Sequence, residues 1–219
     1  MNRKEIKEQA KKLIKGNLWV VFRAVLIITL ISLVIECIPM LLGIKIYVKE
    51  TVELFGENIE VESLTAFGEF WSFITSMISL ILNLGLVNYV FKFVRGKTPK
   101  IEDIFKVIKK RWKVSIIVSL LTSIIISIGS ILLVVPGIIA SLGLTLCNYI
   151  IIDNKKLGPK EVLMKSWEMM DGHKWEFLGY TLSFIGWILL CVFIVPIYFV
   201  IPYMEVTFVL FYEGLKKAE

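Results

Sequence analysis

Residues 114–152, VSIIVSLLTSIIISIGSILLVVPGIIASLGLTLCNYIII, run for 39 positions without a charged side chain. A helix that crosses a bilayer needs about 20 apolar residues. The stretch is too long for one crossing and long enough for two. Pro136-Gly137 near its middle supplies the break, because proline removes a backbone donor and clashes with the preceding turn. The expectation is a helical hairpin with spans over about 114–135 and 138–153.

Working outward, residues 70–91 and 177–204 are also free of charge. The 219 residues are 57% hydrophobic and 20% charged, with mean hydropathy +0.77. An ordinary globular chain is about 45–50% apolar. The pattern predicts one all-α integral membrane domain over 1–219, with further spans at about 18–38, 69–92, 176–195 and 199–214. A cleavable leader is not expected, because the first apolar run is too long and has no small-x-small cleavage site. Residues 45–66 form an acid-rich loop whose Ile46/Val48, Val52/Leu54 and Ile59/Val61 alternation fits a hairpin around Gly56-Glu57-Asn58.

Three basic amphipathic helices are expected beside the spans. One covers 2–15, capped by Asn2, with the stripe Ile6, Ala10, Leu13 and Ile14. A second starts at Thr98-Pro99, with Ile101, Ile104, Phe105, Ile108 and Trp112 on one face. The third runs from Pro159 to Asp171, with Leu163, Trp167 and Met170 on one side. Segments 1–17, 92–113, 153–176 and 213–219 hold 22 of the 25 Lys and Arg, whereas the opposite side has only Lys45 and Lys49. Basic residues accumulate in cytoplasmic loops, so both termini are expected to be cytoplasmic and 45–66 to face outward. The net charge of +6 is thus a topology signal, and nucleic acid is not an expected partner.

A spacing of 60 recurs along the chain: Asn88-Tyr89 with Asn148-Tyr149, Pro99-Lys100 with Pro159-Lys160, and Val135-Pro136 with Val195-Pro196. Trp19 to Pro39, Trp112 to Pro136 and Trp175 to Pro196 are also of similar length. The expected architecture is three pseudo-repeated helical hairpins, each preceded by a basic interfacial helix. Interfacial tryptophans and turn prolines also recur wherever spans do, which is the competing explanation.

Single residues narrow the chemistry. One histidine, His173, excludes a site built from several imidazoles, and Cys37, Cys147 and Cys191 lack ligand spacing. No phosphate-binding loop or nucleophile elbow occurs. No catalytic residue, metal or cofactor is expected. Within the spans, Arg23 and Glu205 stand out, since an ionisable group in the bilayer costs about 2.5–3.5 kcal/mol. They would form a charged site on a substrate or proton path, or a structural pair, or Arg23 would snorkel to the surface. Asn83, Asn88 and Asn148 are candidates to bridge helices or line a cavity. Ser115, Ser119, Ser123 and Ser127 recur every four residues, as do Gly137, Ser141 and Thr145, a spacing that lets helices approach closely. Lys106, Lys109, Lys110 and Arg111 are candidate contacts to anionic lipid headgroups.

Gly16-Asn17-x-Trp19, Pro136-Gly137-Ile138, Met169-Met170-x-Gly172-x-Lys174, Leu182-Ser183-Phe184-Ile185-Gly186-Trp187, Pro202-Tyr203 and Phe211-Tyr212 together resemble a family of polytopic bacterial membrane proteins of unknown function, common in Gram-positive organisms. A weaker similarity runs to the membrane domain attached to some glycerophosphoryl diester phosphodiesterases. The resemblance implies a six-helix bundle in the bacterial cytoplasmic membrane and supplies no catalytic residues. Pro196 and Glu205 depart from its pattern. The leading expectation is a non-enzymatic accessory or scaffold protein acting through lipids, a protein partner or a second copy. The alternative is a small transporter or exporter with a site at the repeat interface near Arg23, Asn83 and Glu205.

Overall fold

The computed structural model describes residues 3–54, 57–193 and 196–218. Asn2, Gly56 and Val195, invoked above for a cap, a turn and a repeat, lie outside them. The helices are α1 (Arg3–Ile14), α2 (Leu18–Leu41), α3 (Ala66–Val94), α4 (Glu102–Leu132), α5 (Val134–Gly143), α6 (Cys147–Asp153), α7 (Pro159–Met169), α8 (Lys174–Leu182), α9 (Ile185–Leu190) and α10 (Ile197–Ala218). Six helical stretches among the described residues are long and apolar enough to cross a membrane: α2, α3, α4, α5 with α6, Lys174–Phe193, and α10. Between α2 and α3, β1 (Tyr47–Leu54) and β2 (Glu57–Leu64) pair antiparallel, with Tyr47 opposite Leu64 and Leu54 opposite Glu57.

Several boundaries differ from the sequence expectation. Pro39 does not close the first span; α2 continues to Leu41. The second amphipathic helix is not separate, because α4 is one helix of 31 residues, about 46 Å at 1.5 Å each. The break of the 114–153 hairpin falls at Leu133, whose φ of −163° and ψ of 148° are extended. Pro136 instead sits in the first turn of α5, where its missing N–H costs nothing. Of the expected α7 stripe, Met170 is fully buried and Leu163 packs against the core, while Trp167 stays exposed; Val162, Ser166 and Met169 are buried beside them. Ser166 Oγ donates to the Gly143 carbonyl at 2.8 Å, an anchor that a count of apolar residues omits.

The α1 stripe of Ile6, Ala10 and Ile14 is buried, and α1 packs against α10. Lys7 Nζ donates to Ser183 Oγ and sits 4.3 Å over the Phe184 ring, while Arg3 Nη1 donates to Gly179 O at 3.2 Å. These contacts meet the bend between α8 and α9, where Ser183 Oγ donates to Tyr180 O. Burial, then repulsion from Arg3 and Lys11, holds the Lys7 ammonium below the ordinary lysine pKa.

The core gathers at the end of the bundle that carries both chain termini, here the basic end. Tyr89, Phe91, Ile104, Leu146, Ile150, Tyr203 and Tyr212 are among its fully buried side chains. Glycines permit the close crossings there. A Cβ on Gly85 would lie 2.4 Å from Ile104 Cγ2, and one on Gly143 would lie 2.5 Å from Trp167 Cε3.

Candidate functional site

Arg23 projects from the second turn of α2 and is half-buried. Its Nε donates to Tyr89 Oη at 2.8 Å and its Nη2 to the Pro99 carbonyl at 3.3 Å. The Tyr89 hydroxyl in turn donates to Val20 O at 2.9 Å. A phenol and a carbonyl thus solvate the guanidinium and tie α2, α3 and the segment before α4 together. Glu205 on α10 is also half-buried, and among the described residues it has no hydrogen-bond or ion-pair partner. Arg23 is therefore paired, but not with Glu205. Asn83 is apart from both: its Oδ1 accepts from Asn148 Nδ2 at 3.1 Å, joining α3 to α6.

The tightest charge cluster involves none of these. Asp153, whose side chain is only 6% exposed, ends α6. One carboxylate oxygen accepts from Arg95 Nη2 at 2.8 Å, the other from Tyr212 Oη at 3.0 Å and from Lys216 Nζ. Arg95 Nε also donates to Glu213 at 2.7 Å, and the guanidinium lies 4.6 Å over the Phe91 ring. Burial opposes the Arg95 charge; the hydrogen bonds it donates to its two carboxylate partners outweigh that and raise its pKa above the ordinary arginine value. This clasp joins the ends of α3, α6 and α10. Its only sequence signal was five charged or phenolic residues placed near span ends, with nothing to pair them.

The four candidate headgroup contacts divide. Lys106 pairs with Glu102 at 3.0 Å, and Lys109 sits beside Glu102 and Phe105. Arg111 is committed elsewhere: Nη1 donates to Lys155 O at 2.8 Å and Nη2 to Leu157 O at 3.1 Å, holding the loop after α6. Lys110 lines a cavity of about 440 Å³ together with Asn88, Lys92, Asp103, Lys106, Arg111 and Lys155. Inside it, Lys92 is neutralised by Asp103 at 2.7 Å, and Asp103 also accepts from Lys100 N at 2.9 Å. Asn88 Nδ2 donates to Asp103 O at 2.9 Å. Lys110 and Lys155 have no ion-pair partner among the described residues. Two free ammonium groups in a groove already walled by bases favour an anion. Lys155 was absent from the sequence expectation, because only the fold carries the loop after α6 to α4.

A second cavity, about 520 Å³, lies farther along α3 and is lined by Glu36, Thr75, Ser76, Ser79, Asn83 and Ser123, among others. It abuts a smaller one of about 180 Å³ that shares Leu80 and Ser123 and reaches Thr122, Thr145 and Asn148. Neither of these cavities nor the basic groove is lined by Arg23 or Glu205. Among the described residues, no group of three or more His, Cys, Asp or Glu side chains could hold a metal ion.

Residues 130–219 match the model of a family described as "Protein of unknown function (DUF975)". The matched stretch takes in α5 to α10, and with them Asp153, Gly143 and the Leu182–Trp187 string. Asn83 and residues Lys106 to Arg111 precede it. No curated protein and no solved structure matches the sequence.

Proposed function

We propose that this six-helix protein is a non-enzymatic accessory or scaffold of the bacterial cytoplasmic membrane that acts by holding anionic lipid headgroups at its basic end. In this reading both termini are cytoplasmic, because that end carries the excess of Lys and Arg. The three-hairpin repeat belongs to the same reading, with the basic stretch before the second hairpin continuous with α4; it rests on the spacing of 60 for the last two units and on the Trp-to-Pro lengths for the first. The single observation that carries the function is the groove in which Lys110 and Lys155 are unpaired beside Lys92, Lys106 and Arg111. Each basic residue near an anionic surface adds about 1 kcal/mol of attraction. A transport path through Arg23 and Glu205 has less support, since Arg23 is held by Tyr89 and neither residue lines the cavities described.

The test is lipid retention. The full chain, purified from membranes, should carry anionic phospholipid detectable by mass spectrometry. The triple variant Lys106→Gln, Lys110→Gln and Lys155→Gln should lose most of it, while Lys109→Gln, outside the groove, should retain it. Equal retention in all three proteins would refute the proposal.

A further inference from the structure

The cavity farther along α3 is chemically unlike the basic groove. Glu36 lies five residues before the end of α2, about 8 Å, and Ser123 nine residues before the end of α4, about 14 Å. With the six helices in a bilayer whose apolar core is about 30 Å thick, the cavity runs from one boundary to near the midplane. Ser76, Ser79, Asn83 and Ser123 are exposed there, so it opens sideways toward hydrocarbon. Ser76 Oγ donates to Ser72 O at 2.7 Å and is satisfied within its own helix. Asn83 is not: its Oδ1 accepts from Asn148, but its own amide donors have no partner among the described residues. A polar donor facing hydrocarbon without a partner is costly, which makes an occupant favourable.

We infer that this groove binds the head of an amine-bearing amphiphile whose chain stays in the surrounding lipid. Three features select that occupant. Among the described residues Glu36 is the only charged side chain lining the cavity, so an ammonium fits where an anion would be repelled. Hydroxyls and the Asn83 amide deeper in offer hydrogen bonds to the rest of a polar head. Leu80 and Met77 in the same wall favour an apolar stem.

Photoactivatable probes of one chain length, carrying a primary amine, a hydroxyl or a phosphate head, test this on the full chain in phosphatidylcholine nanodiscs. The amine probe should cross-link to residues 75–83 and 119–127 at least about fivefold more than the other two, near 1 kcal/mol of preference. Glu36→Gln and Asn83→Leu should each remove that preference, and Glu36→Gln is near-isosteric and exposed, so it keeps the fold. The phosphate probe should still label 102–111 in both variants, which separates this site from the basic groove. Equal labelling by the three heads, or labelling that both variants leave unchanged, overturns the inference. So does efficient disulfide-linked dimerisation of Asn83→Cys in nanodiscs, which would show the face covered by a second copy.

Discussion

The two ends of this bundle are built on different terms. At the basic end Tyr89, Tyr203 and Tyr212 are shut away from solvent and bound by hydrogen bonds or ring contacts. At the hairpin end Ile131 is 84% exposed, Val192 80% and Phe193 74%, and the side chains touch little protein. Polar clasps and packing fix the first region, while lipid must complete the second. Lipid tails offer no hydrophobic drive between helices, so protein contacts should carry stability only where polar groups or close packing exist. Substitutions at the two ends should therefore differ sharply.

The largest effect is expected at Asp153. Replacing it with alanine leaves Arg95, Tyr212 and Lys216 without their shared partner. Removing one side of a buried pair costs about 3–5 kcal/mol. Partial solvation of Arg95 and Lys216 puts this case near the lower end, about 3 kcal/mol. Thermal or denaturant unfolding in detergent micelles reads it, with Ile131→Ala expected within about 0.5 kcal/mol of wild type. If the two variants unfold alike, the contrast between the ends collapses.

Next comes Gly143→Ala. The new methyl would lie 2.5 and 2.7 Å from two atoms of the Trp167 ring, which Lys174 covers at 4.4 Å. Overpacking of this kind costs about 1–3 kcal/mol. Adding Trp167→Ala should relieve the clash, so the double variant loses less than the two single losses combined. Strict additivity would mean that the α5–α7 contact is looser than the structure shows.

Tyr89→Phe should cost about 1.5 kcal/mol, since the phenol accepts from a charged guanidinium and donates to Val20 O. In a cycle with Arg23→Met the two losses should couple, whereas a cycle of Arg23→Met with Glu205→Gln should not. Coupling to Glu205 instead would restore the paired reading of those two residues.

These sites also mark what was legible in the sequence. The number of spans followed from run length alone, because about 20 apolar residues per crossing is a property of the bilayer rather than of the packing. The break at Leu133 was not legible, because proline within the first turn of a helix is as acceptable as proline in a loop, and only backbone angles separate them. The serine repeat on α4 reads as one stripe, yet Ser115 is buried and Ser123 exposed, since the helix passes from the core to the rim along its length. Arg23 announced itself by its cost in a span, but its partner did not. Tyrosine is common in membrane helices, and Tyr89 differs from the others only in where α3 places it. Lys155 and Lys110, 45 positions apart, meet only after α4 and the loop following α6 are packed.

The smallest effect sharpens the comparison at α1. Burial lowers the Lys7 pKa below its unfolded value of about 10.4, so between the two values the unfolded chain binds more protons. Stability should then rise with pH across that window, because the ammonium that burial penalises is lost. Below the folded pKa the whole penalty is present. Lys7→Met has nothing to titrate there, which makes it the reference for every other group that ionises in the same range. Melting temperatures of the two proteins, followed from pH 7 to about pH 10.5, should show the wild type gaining on Lys7→Met toward the alkaline end. A constant difference would mean that Lys7 is solvated, and that α1 lies on the bundle without being inserted at the Ser183 bend.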